Sequence, residues 1–381
     1  MLRELLAGIV GLCGGMVVAT ALAAFIIGLG MIPRYAGVTH TGNHLLFYEN
    51  SLMLGLMLVG TALSSVLSNT GTCACLMPVA LGICAASKNP ASRQLLPMAY
   101  ACGWGGIITL VGTPPNIIGS GALTAAGLPG FSFFEFAWIG IPLSVAGILY
   151  MLLIGKYLLP KAELDADQEI EQEIEATTHD KKKQMISGMI LLVCVIVMAL
   201  DFKFISLEMT AIIGALVCVL TGCLTEKQAY SSIDWVTIFL FAGMMPVSTA
   251  MDKTGAGKLI ANWAVGLMGG EPTPLIVTIV LFSISCFLTQ FMSNTASAAL
   301  LCPIGIAIAK QLNADPKAVV MAIAVAASCA FATPVGTPPC TLVLGPGGYK
   351  FMDYVKCGTG LVLVCFVVSL IVIPMVWPFF P

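Results

Sequence analysis

Four apolar stretches of this chain are long enough to enter a membrane, and each is interrupted near its middle by a short polar motif. Residues 52–87 are broken by Ser68-Asn69-Thr70, and residues 275–312 by Ser293-Asn294-Thr295. Residues 95–126 and 318–345 are each broken by Gly-Thr-Pro-Pro, at Gly112–Pro115 and Gly336–Pro339. Unwound backbone at membrane depth survives only where protein or a water-filled cavity satisfies its N–H and C=O groups. The pattern therefore predicts two re-entrant hairpins (52–87 and 275–312) and two unwound helices (95–126 and 318–345). A binding site is expected where the four breaks meet.

Composition supports lipid as the solvent. Of 381 residues, 58% are apolar and only 9% charged, against about 25% charged in a soluble domain. Unbroken spans are expected near 5–32, 133–159, 185–201, 205–223, 233–252 and 358–377, since about 20 apolar residues cross a bilayer. The stretch at 5–32 is too long for a signal-peptide core and lacks a small-residue cleavage pattern, so it reads as a span. The chain is thus an all-α polytopic protein, expected in the inner (plasma) membrane. A net charge of −2 gives no reason to invoke a nucleic acid partner. Fourteen cysteines lie scattered in apolar segments without metal-ligand spacing, so they read as small apolar residues. His40, His44 and His179 lie in polar segments. No metal beyond a transported ion, no cofactor and no enzymatic motif is expected.

The sequence also contains itself. Ser68-Asn69-Thr70 is followed by Pro78 and then by the first Gly-Thr-Pro-Pro; Ser293-Asn294-Thr295 is followed by Pro303 and then by the second, at nearly equal separation. The halves divide as residues 1–159, a charged linker at 160–184, and residues 185–381. Basic residues at Lys88, Arg93, Lys156, Lys350 and Lys356, with those of the linker, place these loops in the cytoplasm by the positive-inside rule. The two halves then have opposite topology, with the 52–87 hairpin entering from the cytoplasm and the 275–312 hairpin from outside. Lys310 and Lys317 fall on the outer side, against the rule. In the second half two helices precede the span at 233–252; nothing precedes the matching span near residue 5. The chain is therefore expected to be N-terminally short by about two helices.

These motifs suit a hard cation and an anion together. A broken helix frees backbone carbonyls at one half-helix end, and Ser, Asn and Thr side chains add further oxygens. The opposite half-helix presents free N–H groups and a positive dipole end, which favours a carboxylate. Gly112 and Gly336 permit tight unwound backbone, and the prolines after them keep the helix from re-forming. Proton relays usually leave Asp, Glu or His inside spans. Here Glu135, Asp201, Glu208, Asp234, Asp252 and Glu271 fall near expected span ends, so coupling cations are expected to supply the positive charge.

The doubled Ser-Asn-Thr and doubled Gly-Thr-Pro-Pro resemble the divalent anion/sodium symporters, a family that includes bacterial dicarboxylate carriers. The resemblance covers nearly the whole chain. It implies a homodimeric, elevator-type transporter with inverted repeats, a small dicarboxylate such as succinate as substrate, and sodium ions as coupling ions. By that resemblance one sodium site would use Ser64, Ser68, Asn69 and Gly112. The other would use Thr289, Met292, Asn294 and Gly336, with Met292 and Gly336 giving backbone carbonyls only. Substrate would meet Asn69, Thr70, Thr113 and Pro114 on one side, and Ser293, Asn294, Thr295, Thr337 and Pro338 on the other. Two departures stand out: Cys340 occupies the place of Asn116, and Trp104-Gly105-Gly106 is bulky for a packed helix. Rival readings are a dicarboxylate exchanger without sodium coupling, a sulfate or oxyanion carrier of the same fold, and a fragment that does not transport.

Overall fold

The computed structural model describes residues 45–87, 89–160, 181–199, 207–231 and 273–380, with scattered positions between 233 and 266. Among the described residues every regular element is helical. In chain order these are α1 (Leu45–Ser64), α2 (Asn69–Ser87), α3 (Leu95–Gly105), α4 (Pro114–Ala125), α5 (Ala137–Leu158), α6 (Lys181–Ala199), α7 (Leu207–Leu220) and α8 (Glu226–Ser231). They continue as α9 (Pro274–Leu288), α10 (Asn294–Gln311), α11 (Pro316–Ser328), α12 (Pro338–Leu344) and α13 (Phe351–Val376). Two described helices, α5 and α13, are long and apolar enough to cross a membrane alone.

The breaks fall where the motifs stand. Ser68-Asn69-Thr70 spans the join between α1 and α2, and Ser293-Asn294-Thr295 the join between α9 and α10. Each Gly-Thr-Pro-Pro opens a new helix with proline at its first position, where a missing N–H costs nothing and φ is already helical. Thr113 and Thr337 before them are extended, at φ −144° and −142°. The first paired unit begins at Leu45, ahead of the expected residue 52, because Leu45–Asn50 continue α1 without a breaker. Likewise α6 begins at Lys181, inside the stretch expected to be linker. The spans expected at 5–32 and 233–252, most of the linker, and the absent helices fall outside the described residues or are covered there only at scattered positions. So do Asp201, Asp234, Asp252 and Glu271.

Packing is crossed between the halves. Within each half the arm before the tip lies on the helix before the break, α1 on α3 and α9 on α11. Across the halves α2 packs on α12, and α10 packs on α4. The helices before the breaks form the centre: every residue of α3 is buried, and all of α11 except Lys317. Trp104, expected as a bulky anomaly, fills this centre. Its ring N–H donates to Thr61 Oγ1 at 2.8 Å, and its ring meets Phe331 edge-on at 6.3 Å. Tyr100 donates its hydroxyl to the Phe331 carbonyl at 2.9 Å, and Gly103 leaves the room that the Phe331 ring occupies. Large aromatic groups bury the most apolar area per residue, and a buried indole N–H needs its acceptor; Trp104 meets both conditions.

Helix α5 carries a π turn at Met151–Gly155. There Tyr150 donates to the Cys357 carbonyl at 2.8 Å, locking α5 onto α13. At one end of the bundle Glu135, just before α5, pairs with Lys317 at 2.6 Å and accepts from Trp377 Nε1 at 2.9 Å. Burial pushes the Glu135 carboxyl up, but hydrogen bonds from Lys317, Trp377 and the Ser132 N–H outweigh it and hold the carboxyl below its ordinary value. Lys310 donates to the Ala126 carbonyl at 3.3 Å. The two lysines that ran against the charge pattern are thus engaged, one neutralised and one closing the C-terminal end of α4.

Candidate functional site

Ser64 lies at the last residue of α1, fully buried, with its hydroxyl donating to the Cys102 carbonyl at 2.6 Å. One end of the Asn69 carboxamide faces Ser64 Oγ at 2.8 Å, the Cys102 carbonyl at 3.0 Å and the Gly112 carbonyl at 3.2 Å. The second half repeats this arrangement. Thr289 Oγ1 donates to the Ala327 carbonyl at 2.6 Å, and the Asn294 carboxamide faces Thr289 Oγ1, the Ala327 carbonyl and the Gly336 carbonyl at 2.8, 3.1 and 3.0 Å. Hydroxyl and asparagine are 5 residues apart in both cages, and hydroxyl and carbonyl 38 apart in both.

Either cage can be completed in two ways. The carboxamide nitrogen, facing the three oxygens, shares its two N–H groups among them; this is the orientation that satisfies the carboxamide from protein atoms alone. The carboxamide oxygen, turned the same way, makes a cluster of four oxygens around a cation. Hard cations are bound by carbonyl, amide and hydroxyl oxygens of this kind.

The glycines are required by close approach. A Cβ on Gly112 would lie 2.5 Å from the Gly106 carbonyl oxygen, and one on Gly336 would lie 2.9 Å from the Thr289 carbonyl oxygen. Ser68 and Ser293 sit exposed at the tips, where their hydroxyls accept from Gly71 N at 3.1 Å and Ala296 N at 3.2 Å. Thr70 and Pro338 are exposed, Pro114 and Met292 half-buried, and Thr295 buried. Thr113 and Thr337 are buried and extended, and neither hydroxyl caps the helix that follows it.

Sequence reasoning missed the carbonyls of Cys102 and Ala327, which carry no side-chain signature. It also missed the groups that hold the breaks. In the first break Asn116 Nδ2 donates to the Gly106 and Thr109 carbonyls at 3.3 and 2.8 Å, and Thr109 Oγ1 donates to the Ser65 carbonyl. In the second, Thr333 Oγ1 donates to the Gln290 carbonyl at 2.6 Å and accepts from Gly336 N at 3.1 Å. The signal available was a lone glutamine, Gln290, within an apolar arm. Glu208 lies in the first turn of α7, away from these cages in sequence. Among the described residues no group of His, Cys, Asp and Glu is arranged to hold a metal ion.

Broken helices buried at the centre of an apolar helical bundle, with oxygen cages at their breaks, define a membrane transporter. The chain belongs to the citrate transporter family, related to the divalent anion/sodium symporters: the family model CitMHS matches residues 4–300 and 197–380. It is similar to an uncharacterized transporter of Haemophilus influenzae, 35% identical over 341 residues, covering 84% of this chain and 72% of the relative. It is similar at greater distance to the sodium-dependent dicarboxylate transporter SdcS of Staphylococcus saprophyticus, 25% identical over 366 residues, covering 86% of this chain and 69% of SdcS. Among solved structures its fold matches the Alcanivorax borkumensis YdaH transporter with a TM-score of 0.61 at 14% identity, covering 98% of this chain and 86% of that one.

Proposed function

We propose that this protein is a sodium-coupled symporter of small dicarboxylates, working in the inner membrane. The observation that carries the reading is the pair of matched cages, Ser64–Asn69–Cys102–Gly112 and Thr289–Asn294–Ala327–Gly336. Each offers hydroxyl, amide and carbonyl oxygens to a cation and no carboxylate, so a monovalent ion leaves less uncompensated charge than a divalent one, and that charge is available to an anion. The distant likeness to a sodium-dependent dicarboxylate transporter agrees with this chemistry.

In this reading each tip serves two ligands. Ser64, Ser68, Asn69 and Gly112 hold one sodium ion; Thr289, Met292, Asn294 and Gly336 hold the other. The N-termini of α2 and α10 present backbone N–H groups and a positive dipole end, from which a carboxylate gains. Thr70, Thr113 and Pro114 line one side of the substrate, and Ser293, Thr295, Thr337 and Pro338 the other. A bound cation turns the asparagine oxygen inward, which leaves its NH2 free to donate to a carboxylate. Cation and anion binding are then linked, and neither moves alone. The halves 1–159 and 185–381 act as inverted repeats, with re-entrant hairpins at 52–87 and 275–312, in a homodimer that carries its site across the bilayer by an elevator-type motion.

The test is uptake of radiolabelled succinate into proteoliposomes under an inward sodium gradient and under matched potassium. Sodium-dependent uptake, blocked by other dicarboxylates and not by sulfate, is the expected result. Equal uptake in potassium that internal dicarboxylate accelerates would make the protein an exchanger, and sulfate uptake would make it an oxyanion carrier.

A further inference from the structure

The two cages are matched, but the clamps that hold their backbone are not. In the first half an amide on the helix after the break, Asn116, ties the Gly106 and Thr109 carbonyls together. Cys340 stands in the corresponding place in the second half. Its backbone carbonyl accepts from Tyr354, and its thiol is a weak donor that replaces neither bond. The second break is held instead from the tip of the α9–α10 pair. Gln290 Nε2 donates to the Cys286 carbonyl at 2.9 Å and to the Cys329 carbonyl at 3.0 Å, while its Oε1 accepts from Ala332 N at 3.0 Å. In the first half Ser65 follows Ser64 as Gln290 follows Thr289, and its hydroxyl reaches only the Ala62 carbonyl in its own helix, at 2.7 Å.

Gln290 is buried, so each bond it makes is costly to lose. A continuous path runs from it to the second cage. The side chain fixes Cys329 and Ala332; Thr333 Oγ1 donates back to the Gln290 carbonyl; Gly336 N donates to Thr333 Oγ1; and the Gly336 carbonyl is an oxygen of the cage. The residue before Gln290 is Thr289, the hydroxyl of the same cage. Gln290 thus meets the second break twice, through its carboxamide at Cys329 and Ala332 and through its backbone carbonyl at Thr333, one residue after the hydroxyl of the cage.

We infer that Gln290 is a positioning residue for the second cation cage, and that it does there, from the paired-helix tip, what Asn116 does for the first break from the following helix. The inference rests on the proposed sodium coupling. It adds a consequence: in the second half the tip and the break are stapled into one body, so cage and tip move together. In the first half the amide clamp stays within the break, and the tip is joined to the break and its preceding helix through Thr109 to Ser65 and Ser64 to Cys102.

The experiment is sodium activation of succinate uptake in proteoliposomes at saturating substrate, for wild type, Gln290→Ala, Cys340→Asn and the double variant. Gln290→Ala is expected to raise the half-saturating sodium concentration about tenfold, equivalent to about 1.4 kcal/mol, with maximal uptake at high sodium largely kept. In the double variant an asparagine at 340 reaches toward the Ala330 and Thr333 carbonyls, as Asn116 reaches Gly106 and Thr109, and restores most of the sodium affinity. General destabilisation would not be repaired by a residue on a different helix. Should Gln290→Ala not be recovered from membranes, Gln290→Glu gives the same comparison: it keeps the shape and the Ala332 bond and loses the two donated bonds. Unchanged sodium affinity in these variants beside a sodium-dependent wild type overturns the inference alone. So does a loss of sodium affinity that Cys340→Asn leaves untouched. A wild type indifferent to sodium overturns the proposed coupling and this inference with it.

Discussion

Cys73 Sγ lies 3.7 Å from the carbonyl oxygen of Pro339. This contact joins the first turns of α2 to the first turn after the second break, two segments far apart in the chain. Both residues are buried, so the space between them is filled. Cys73→Ala is expected to keep uptake close to that of wild type. Cys73→Phe forces the two segments apart at a cost of about 1–3 kcal/mol and should abolish transport. Melting temperature and succinate uptake, measured on both variants, separate the two outcomes; active Cys73→Phe would show that this junction tolerates displacement.

Asn69→Ala and Asn294→Ala each remove a cage carboxamide and its contacts, while the Cys102 and Ala327 carbonyls keep the hydroxyls of Ser64 and Thr289 as donors. The structural part of that loss is about 1–3 kcal/mol, and the functional part should be complete loss of sodium-driven uptake. Near-normal uptake by either variant would remove its cage from the mechanism.

The glycines in the breaks differ in how little room they have. At Gly112 an added methyl would meet the Gly106 carbonyl at 2.5 Å, whereas at Gly336 the nearest atoms lie at 2.9 Å. Gly112→Ala should therefore lower uptake more than Gly336→Ala, by about tenfold or more if the backbone must shift by enough to cost 1.4 kcal/mol. Paired uptake assays on protein of equal reconstitution yield decide the order.

Glu135 makes a pH prediction. Its carboxyl is held below the ordinary carboxylate value of about 4.3 by Lys317, Trp377 and Ser132 against the opposing effect of burial. A lowered pKa in the folded state means that stability from this cluster is full above about pH 4.3 and is lost as pH falls through the folded value. Thermal melts from neutral pH downward should show this loss in wild type and a flatter acid limb in Glu135→Gln. At neutral pH the variant should be less stable by roughly 1 kcal/mol or less, since such pairs at the edge of a protein contribute little.

The break positions were readable because Ser-Asn-Thr and Gly-Thr-Pro-Pro carry their own local physics: a capping hydroxyl, a glycine that permits close approach, a proline that starts a helix. Asn69 and Asn294 were readable for the same reason. The carbonyls of Cys102 and Ala327 were not, because any residue supplies a carbonyl and only tertiary packing chooses which. Gln290 was visible as a polar residue among Phe287, Leu288 and Phe291, yet its partners Cys329 and Ala332 lie in the second break, past the end of α11. Trp104 read as an anomaly from its neighbours in sequence; its reason is Phe331, which arrives from the other half. Helix α1 takes in residues from Leu45, before the apolar stretch that starts at 52, because apolar content marks the arm and not the helix that carries it.

The crossed packing of α2 on α12 and of α10 on α4 has a consequence for ownership of the pocket. Each helix that follows a break is walled by an arm from the opposite half of the chain, so neither half owns a finished wall. A polypeptide cut between the two halves would yield two fragments with raw, unmatched flanks, each shaped to cover the other among the described residues. Selection on one half is therefore exerted through the other: a change of side-chain size in α2 is judged by the loop that α12 begins, and changes in the two must be accepted together.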